Sequence, residues 1–415
     1  MRRSEDDPRI SRTPQDYRSR FGSRPQIWKV PAWLPCCAIG HRAAPEGAGA
    51  PDLRALRAVR NRSACRAYPQ SRSIDETGQE RAGMGHKPLR EQVVVVTGAS
   101  SGIGLATARM AAQRGARVVL AARSEDALAQ VTAELGPRAT YVVADVGRRE
   151  EVQAIAERAV ATFGGFDTWV NVAGLTVYGP LRAMAPEDHE RLFRTNFWGT
   201  VYGSLIAAEH LRERGGAIIN VGSIASDLAF PFQGLYAASK HAVKGFTDTL
   251  RMELRAEGAP VSVTLVKPAS IDTPLPNRAR NYMDREPTLP PPIYPPQEVA
   301  NAILHAAVHP QRDIFVGGGG KLFVMGKEFA PGAYDELAPA IIALQKRPEP
   351  PRNPEGALHA PRAAGRERGD PPVYVMRTSA YTRATLHPFA TAGLAAGLAA
   401  AAALVLGGRQ TGRRS

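Results

Sequence analysis

The chain has 415 residues, a formal net charge of +14 at pH 7 and three cysteines. Cys36, Cys37 and Cys65 all lie before residue 84, which excludes a disulfide framework, a thiol nucleophile or a cysteine metal site in the rest of the chain. The basic excess lies at the two ends: Lys and Arg outnumber Asp and Glu by 16 to 9 in residues 1–83, by 27 to 26 in 84–346 and by 10 to 4 in 347–415. We interpret the charged ends as solvated tails, and the chain has no basic-aromatic motif that predicts a nucleic-acid partner.

Residues 1–83 mix Arg, Pro, Ser and Gly without a sustained period of 2 or 3.6, which predicts a disordered extension. The apolar stretch 31–39 contains prolines and lies too far into the chain for a signal peptide. Because Met84 closely precedes the first predicted strand, a natural start at that residue is an alternative explanation of the extension.

From residue 92 onward, short apolar runs alternate with stretches of helical periodicity. This strict alternation predicts a parallel sheet with helices on both faces and right-handed crossovers. The predicted fold class is therefore α/β, a doubly wound Rossmann-type sheet in three α/β/α layers, over residues 84–330. Strands are predicted at 93–96, 117–121, 140–144, 168–171, 217–221, 261–266 and 313–316, and helices at 102–114, 125–135, 150–163, 186–212, 236–257 and 297–308.

A glycine-rich segment connects the first predicted strand to the first predicted helix. Glycines let the backbone approach a pyrophosphate, and a helix N-terminus offers N–H groups and the positive end of its dipole. The position between a buried strand and a helix distinguishes this segment from an ordinary turn. The sequence therefore predicts a dinucleotide site formed by Thr97, Gly98, Ser100, Ser101, Gly102, Ile103 and Gly104.

The second predicted strand is followed by Arg123, at the position where NAD-binding proteins usually carry an acid for the ribose 2′-hydroxyl. A guanidinium there suits a 2′-phosphate through charge-assisted hydrogen bonds. This pattern favours NADP(H) as the cofactor. An exposed surface arginine is the alternative interpretation of Arg123, so NAD(H) stays open.

Three further residues indicate the chemistry. Ser223 follows the fifth predicted strand, Tyr236 begins a helix, and Lys240 lies four positions later on the same helix face. A carbonyl and an alcohol interconvert by hydride transfer only if a proton moves at the oxygen, and an adjacent ammonium is expected to lower the pKa of a phenol for that task. Ser223 can donate a hydrogen bond to the same oxygen.

The glycine loop, the serine and the Tyr-x-x-x-Lys pair, in this order, resemble the short-chain dehydrogenase/reductase family, in its single-domain, NADP(H)-preferring branch, over roughly residues 90–320. The resemblance implies that Tyr236 is the general acid and base, that Lys240 also holds the nicotinamide ribose, and that Asn196 takes part in a proton relay. The other cofactor contacts that it implies are Asp145, Val146, Asn171, Ala173, Gly174, Pro268, Ile271 and Thr273.

The chain departs from the family pattern at two positions. Val172 replaces the second asparagine of Asn-Asn-Ala-Gly, and Ala269 replaces the glycine of Pro-Gly. No position of the catalytic set is missing and no metal-ligand spacing is visible. The expected partner is a small-molecule carbonyl or alcohol, and the family resemblance implies a homodimer or homotetramer. A catalytically silent protein that senses NADP(H) is the alternative function, against which the intact catalytic set argues.

Two segments remain. Residues 273–296 contain eight prolines and are predicted to form a lid over the substrate or, alternatively, a plain surface connector. Residues 331–388 are predicted to form a helix and a Pro/Arg-rich linker.

Residues 389–408 carry no charged side chain and precede a basic tail, 409–415. As a helix, this stretch would be about 30 Å long, enough to cross a bilayer core. We therefore predict a transmembrane helix that anchors a cytoplasmic catalytic domain. Because the stretch is mostly alanine, a soluble helix or an unstructured tail is the alternative.

Overall fold

The structure is a computed structural model, and it describes residues 86–362, 365–388 and 391. The predicted extension 1–83, the predicted transmembrane helix 389–408 apart from Thr391, and the basic tail 409–415 lie outside the described residues. Among the residues that are described, no helix combines the length and the apolar character needed to span a bilayer.

The first half of the domain alternates strands and helices as the sequence predicts. All five residues of the first strand are buried, as in a parallel strand that is covered on both faces. The elements are β1 (Val93–Thr97), α1 (Gly102–Gln113), β2 (Arg117–Ala122), α2 (Glu125–Leu135), β3 (Ala139–Val143), α3 (Arg149–Phe163) and β4 (Thr168–Asn171).

The second half keeps the alternation but adds short strands between the main elements. Its two-residue strands pair with each other outside the central sheet. The elements are β5 (Val177–Tyr178), α4 (Pro186–Phe193), α5 (Gly199–Leu211), β6 (Gly216–Val221), α6 (Gly234–Ala256), β7 (Val261–Pro268), β8 (Ser270–Ile271), β9 (Arg280–Asn281), β10 (Ile293–Tyr294), α7 (Pro296–Ala306) and β11 (Asp313–Val316).

The central sheet has seven parallel strands in the order β11-β7-β6-β4-β1-β2-β3, which confirms the predicted fold class. One apolar cluster packs α1, α2 and α7 against one face, and a second packs α3, α5 and α6 against the other. The chain runs outward from β1 to β3 and then returns to place β4 on the other side of β1. A crevice therefore opens between the carboxyl ends of β1 and β4, where doubly wound proteins bind ligands.

The helix predicted over 186–212 is interrupted. Between α4 and α5 the chain forms a five-residue π-helical segment, Arg194–Trp198. The apolar periodicity continues through this segment, so the sequence pattern alone does not reveal the wider turn. Such π-bulges are frequent at functional sites, and this one contains Asn196.

Beyond β11 the chain forms more regular structure than the sequence predicts. Within the described residues four helices follow: α8 (Gly318–Phe329), α9 (Pro331–Glu336), α10 (Ala338–Leu344) and α11 (Ala380–Leu386). The segment between α10 and α11 was predicted as a linker, but it lies against the domain. We call residues 353–362 and 365–370 the strap.

The strap is attached through backbone hydrogen bonds and through buried side chains, among them Leu358. The Asn281 N–H donates to the Pro354 carbonyl at 2.8 Å, and the Ala357 N–H donates to the Arg278 carbonyl at 2.8 Å. Leu358 is 1% exposed and packs in a small cluster with Val177, Met184 and Leu192. The strap is therefore part of the folded domain despite its Pro/Arg-rich composition.

Replacing Leu358 with alanine tests this attachment. Because the substitution leaves a cavity beside β5 and α4, we expect the free energy of unfolding to fall by about 2–4 kcal/mol. Leu322→Ala, at a position that is 69% exposed, is the matched control and is expected to change it by less than about 0.5 kcal/mol. Urea unfolding of both variants measures the difference. Equal effects would show that the strap does not pack as described.

Candidate active site

A cleft of about 270 Å³ lies at the carboxyl edge of the sheet. Most of the residues that the sequence predicts for a dinucleotide and for catalysis line it. They are Gly98, Ser100, Ser101, Gly102, Ile103, Gly104, Arg123, Asp145, Val146, Ala173, Gly174, Ser223, Tyr236, Lys240, Pro268, Ile271 and Thr273.

The glycine loop is shaped by close backbone contacts. A Cβ added to Gly98 would lie 2.8 Å from the Cα of Ala173, and one added to Gly104 would lie 2.2 Å from the Gly98 carbonyl oxygen. Gly98 also has a φ of +69°, which disfavours other residues. These contacts hold the N-terminus of α1 at the floor of the cleft, where its positive dipole end suits an anion.

Thr97 and Asn171, two predicted cofactor contacts, do not line the cleft but support it from behind. The Thr97 hydroxyl accepts the N–H groups of Val172 at 3.1 Å and Ala173 at 3.3 Å. The amide of the buried Asn171 donates to Asn220 Oδ1 at 2.9 Å. These bonds fix the loop after β4 against the glycine loop. Val172, which stands where the family has a second asparagine, leaves this support in place because its backbone N–H makes the hydrogen bond.

Asn196 also lies behind the cleft wall, in the π-helical segment. Its carboxamide accepts the Leu175 N–H at 2.8 Å and donates to the Leu175 carbonyl at 3.0 Å and to Ser239 Oγ at 3.1 Å. A Cβ added to Gly174 would lie 3.6 Å from Asn196 Oδ1 and 3.8 Å from Lys240 Nζ. The two polar groups therefore both lie on the side of Gly174 to which a side chain would point.

Ser223 is the N-cap of the 3₁₀ helix Ile224–Ser226, which follows β6. Its hydroxyl accepts the Ala225 N–H at 3.1 Å, so the capping interaction fixes the side-chain orientation. A hydrogen bond joins Ser223 to the phenol of Tyr236. The two hydroxyls are thus held together on one wall of the cleft.

Lys240 is buried and Tyr236 is partly buried on the first turns of α6. Lys240 Nζ donates to the Val221 carbonyl at 2.8 Å and lies 5.8 Å from the centre of the Tyr236 ring. Burial lowers the pKa of Lys240 to about 8. Burial raises the pKa of Tyr236, and the hydrogen bond with Ser223 opposes that shift. The expected lowering of the Tyr236 pKa by Lys240 is not found here, because desolvation is the larger effect.

Arg123 reaches the cleft, but much of its guanidinium is already engaged. It donates to three consecutive strap carbonyls, with its Nη1 at 3.1 Å from Leu358 O and 3.4 Å from His359 O, and its Nη2 bonded to Ala357 O. Burial lowers the pKa of Arg123, and repulsion from Arg191 adds to the effect. The nearby Asp145 carboxylate is 2.6 Å from Arg191 Nη2.

The sequence reasoning missed two arginines that line the same end of the cleft, Arg278 and Arg362. Arg278 Nη1 donates to Ser101 Oγ at 2.8 Å. Arg278 lies in the proline-rich segment, for which a lid was predicted, but Arg362 lies in the predicted linker and had no signal. At the other end the cleft is mostly apolar, lined by Leu175, Tyr178, Phe230, Gln233, Leu289, Pro290 and Gln345.

The donor set of the cleft fits a nicotinamide dinucleotide. The glycine loop and the N-terminus of α1 suit a pyrophosphate, and the arginines suit further phosphate charge. The ammonium of Lys240, whose residue is 5% exposed, retains donors that its bond to Val221 does not use. Among the described residues no cluster of His, Cys, Asp and Glu could hold a metal ion.

Comparison with known sequences agrees with this geometry. Residues 92–284 match the family described as short chain dehydrogenase. The chain is 47% identical to the uncharacterized oxidoreductase YxnA of Bacillus subtilis over 325 residues, which cover 76% of this chain and 91% of that protein. It is 38% identical to momilactone A synthase of Oryza sativa over 215 residues, 50% of this chain and 77% of that enzyme.

Two solved structures share the fold. A short-chain dehydrogenase/reductase from Burkholderia phymatum in complex with NAD matches with a TM-score of 0.54 and 28% identity, over 60% of this chain and 96% of that one. A 3-ketoacyl-(acyl-carrier-protein) reductase from Brucella melitensis complexed with NADH matches with a TM-score of 0.50 and 26% identity, over 56% and 99%. Both of these proteins are described with a bound nicotinamide dinucleotide, NAD in the first and NADH in the second.

The buried ammonium of Lys240 predicts a pH-dependent stability. Its pKa is about 8 in the folded chain, against an ordinary value of 10.5. Between these values the unfolded chain binds more protons than the folded one, so the stability conferred by Lys240 rises with pH. We expect the free energy of unfolding of the wild type, relative to Lys240→Met, to rise by up to about 3 kcal/mol from pH 7 to pH 10.

Urea unfolding of both proteins at several pH values, without cofactor, measures this difference. Lys327→Met, a matched substitution on α8 outside the cleft, is the control and should keep a constant difference from the wild type. A Lys240→Met difference that does not vary with pH would mean that the ammonium is not buried in the free protein.

Proposed function

The chain belongs to the short-chain dehydrogenase/reductase family, and we propose that it is an oxidoreductase that transfers a hydride between NADP(H) and a small-molecule carbonyl or alcohol. The observation that carries this proposal is the common wall formed by Ser223, Tyr236 and Lys240 beside the glycine loop. Each of these groups has a role in moving one proton at the substrate oxygen.

When bound, the nicotinamide supplies or accepts the hydride. In the direction of reduction, Tyr236 donates its proton to the carbonyl oxygen, and in the direction of oxidation its phenolate takes the proton from the alcohol. Ser223 stabilises the charge that develops on the same oxygen by donating a hydrogen bond. Since the Lys240 pKa is about 8, the side chain carries its charge at neutral pH and favours the phenolate.

Asn196 is proposed to act through its neighbours. By holding both backbone groups of Leu175 and the hydroxyl of Ser239, it fixes the loop that carries Gly174 against α6, one residue from Lys240. Its carboxamide oxygen lies beside the space between Gly174 and the lysine ammonium. This position suits a water-mediated proton path to Lys240, as the family resemblance implies.

The preference for NADP(H) is supported by charge. No acid stands at the end of β2, and Arg123, Arg278 and Arg362 line the same end of the cleft. The nearest carboxylate at that end, Asp145, is paired with Arg191. An excess of guanidinium groups favours a cofactor with an additional phosphate.

The opposite end of the cleft favours an apolar substrate. Aromatic and aliphatic side chains surround it, and Gln233 and Gln345 are its polar groups among the described lining residues. An alicyclic or long-chain ketone or secondary alcohol has this character. A membrane anchor at 389–408 would suit such a substrate, and it stays a prediction, as do a cytoplasmic catalytic domain and a homodimer or homotetramer.

Replacing Tyr236 with phenylalanine tests the proposed proton transfer. After a screen of ketones and secondary alcohols with NADPH, NADP⁺, NADH and NAD⁺, we expect kcat with the best substrate to fall about 10²- to 10⁴-fold. The dissociation constant of the cofactor should stay close to that of the wild type, because the ring remains. Tyr374→Phe, at a position that is 71% exposed, is the matched control.

Full activity in Tyr236→Phe would refute the assigned role. A protein that binds NADPH but turns over none of the compounds, and whose biological output survives Tyr236→Phe, would favour the NADP(H)-sensing alternative.

Replacing Arg123 with alanine tests the cofactor preference. We expect the dissociation constant for NADPH to rise about tenfold, because a charge-assisted hydrogen bond to the 2′-phosphate is lost. The constant for NADH should change much less. Titration by intrinsic fluorescence measures both, with Arg138→Ala at the surface as the control. Wild-type protein that prefers NADH would contradict the assignment.

A further inference from the structure

The strap crosses the phosphate end of the cleft rather than its substrate end. The Gly365 N–H donates to the Ser100 carbonyl at 2.8 Å, and the Gly102 N–H donates to the Arg366 carbonyl at 3.0 Å. Both partners belong to the glycine loop. The strap begins well beyond residue 284, where the match to the family ends.

The strap is held at this place from both sides. On one side, the carbonyls of residues 357–359 accept the guanidinium of Arg123, and Arg191 Nε donates to Leu358 O at 3.1 Å. On the other, Gly369 N–H donates to Asp272 Oδ1 at 2.9 Å. The strap therefore spans from the end of β2 to the loop after β8, across the mouth of the glycine loop.

One charged side chain of the strap enters the cleft. Arg362 lines it, and its Nε donates to the Gly356 carbonyl at 2.8 Å. Gly356 has a φ of +59°, and a Cβ there would lie 2.4 Å from the Ala279 carbonyl oxygen, so the turn that supports Arg362 is fixed against the proline-rich segment. In the part of the chain that is described, no hydrogen bond engages the terminal nitrogens of Arg362.

Further guanidinium groups line the cleft together with Arg362, those of Arg123 and Arg278. Burial lowers the pKa of Arg278, and repulsion from Arg366 lowers it further. The acids of the strap pair with other arginines. Glu355 pairs with Arg280, Glu367 lies 2.8 Å from Arg109, and Asp370 lies 3.4 Å from Arg347. An arrangement of this kind favours an anion between the guanidinium groups.

We propose that the strap completes the dinucleotide site, and that Arg362 binds a phosphate group of the cofactor opposite the glycine loop. This inference rests on the proposed function and adds to it a binding residue from outside the family match. The phosphate is either the 2′-phosphate of NADP(H) or the pyrophosphate common to both cofactors. In both cases the strap and α1 hold the dinucleotide from opposite sides.

The test compares cofactor binding by the full chain and three variants. Dissociation constants for NADPH and NADH are measured by fluorescence titration, which requires no substrate. The variants are Arg362→Ala, Arg362→Lys and Arg352→Ala. The last removes an arginine next to the strap that is 58% exposed and does not line the cleft. Circular dichroism and thermal melting of the free proteins verify that each variant is folded.

We expect Arg362→Ala to raise the NADPH dissociation constant about fivefold to twentyfold, Arg362→Lys to raise it less, and Arg352→Ala to leave it unchanged. A loss confined to NADPH identifies the 2′-phosphate, and an equal loss for NADH identifies the pyrophosphate. Both outcomes support the proposal.

Unchanged constants for both cofactors in folded Arg362→Ala would overturn the role of Arg362 and leave the proposed function intact. The same conclusion follows if Arg352→Ala is as damaging as Arg362→Ala, because the effect would then be one of net charge. Wild-type protein that binds neither dinucleotide would overturn the proposed function together with this inference.

As a second measurement, the rate of trypsin cleavage after the arginines of the strap is determined with and without NADPH. Protection of Arg362, Arg366 and Arg368 by NADPH in the wild type, and loss of the protection of Arg366 and Arg368 in Arg362→Ala, would support a strap that contacts the cofactor. Digestion at equal rates with and without NADPH would overturn it.

Discussion

The backbone of Gly98 lies closer to the backbone of Ala173 than any side chain at position 98 would allow. This contact exists because β1 and β4 are neighbours in the sheet while the chain that joins them runs outward through β2 and β3. The loops after β1 and β4 are therefore pressed together at one edge, and the hydroxyl of Thr97 joins them through two N–H groups. The shape of the cleft and the orientation of α1 depend on this junction.

Burial then sets the electrostatics of the site. The same desolvation that raises the pKa of Tyr236 lowers that of Lys240, so both charged forms are disfavoured in the free protein. A low-dielectric wall of this kind also strengthens each interaction with a charge that develops on a reactant. The hydrogen bond with Ser223 opposes the rise in the pKa of the tyrosine. The fold thus places the phenol of Tyr236 close to Ser223 and Lys240, but it does not by itself lower the pKa of that phenol.

The sequence was sufficient for the central sheet because buried parallel strands appear as continuous β-branched runs and their helices have clear periodicity. The residues that follow the carboxyl ends of these strands and line the cleft were predictable for the same reason. The π-helical segment at Asn196 was not, since a single five-residue turn is too short to stand out within the helical pattern of 186–212. The positions of Thr97 and Asn171 behind the cleft were also beyond the sequence, because a motif indicates which residues matter without indicating whether the side chain meets a ligand or supports the loop that does.

The strap shows why composition alone misjudged the C-terminal region. Its prolines and glycines exclude regular helices, and its backbone groups are satisfied instead by the domain, through carbonyls that accept Arg123 and N–H groups that donate to the glycine loop. Such bonds have no sequence period, so they cannot be distinguished from those of a solvated linker by pattern. Part of the basic excess of residues 347–415 is likewise not solvated, since the Arg347 side chain is 7% exposed and Arg362 lines the cleft. Positive charge that folding places beside a helix N-terminus is costly without an anion, and the cleft is where a phosphate can supply one.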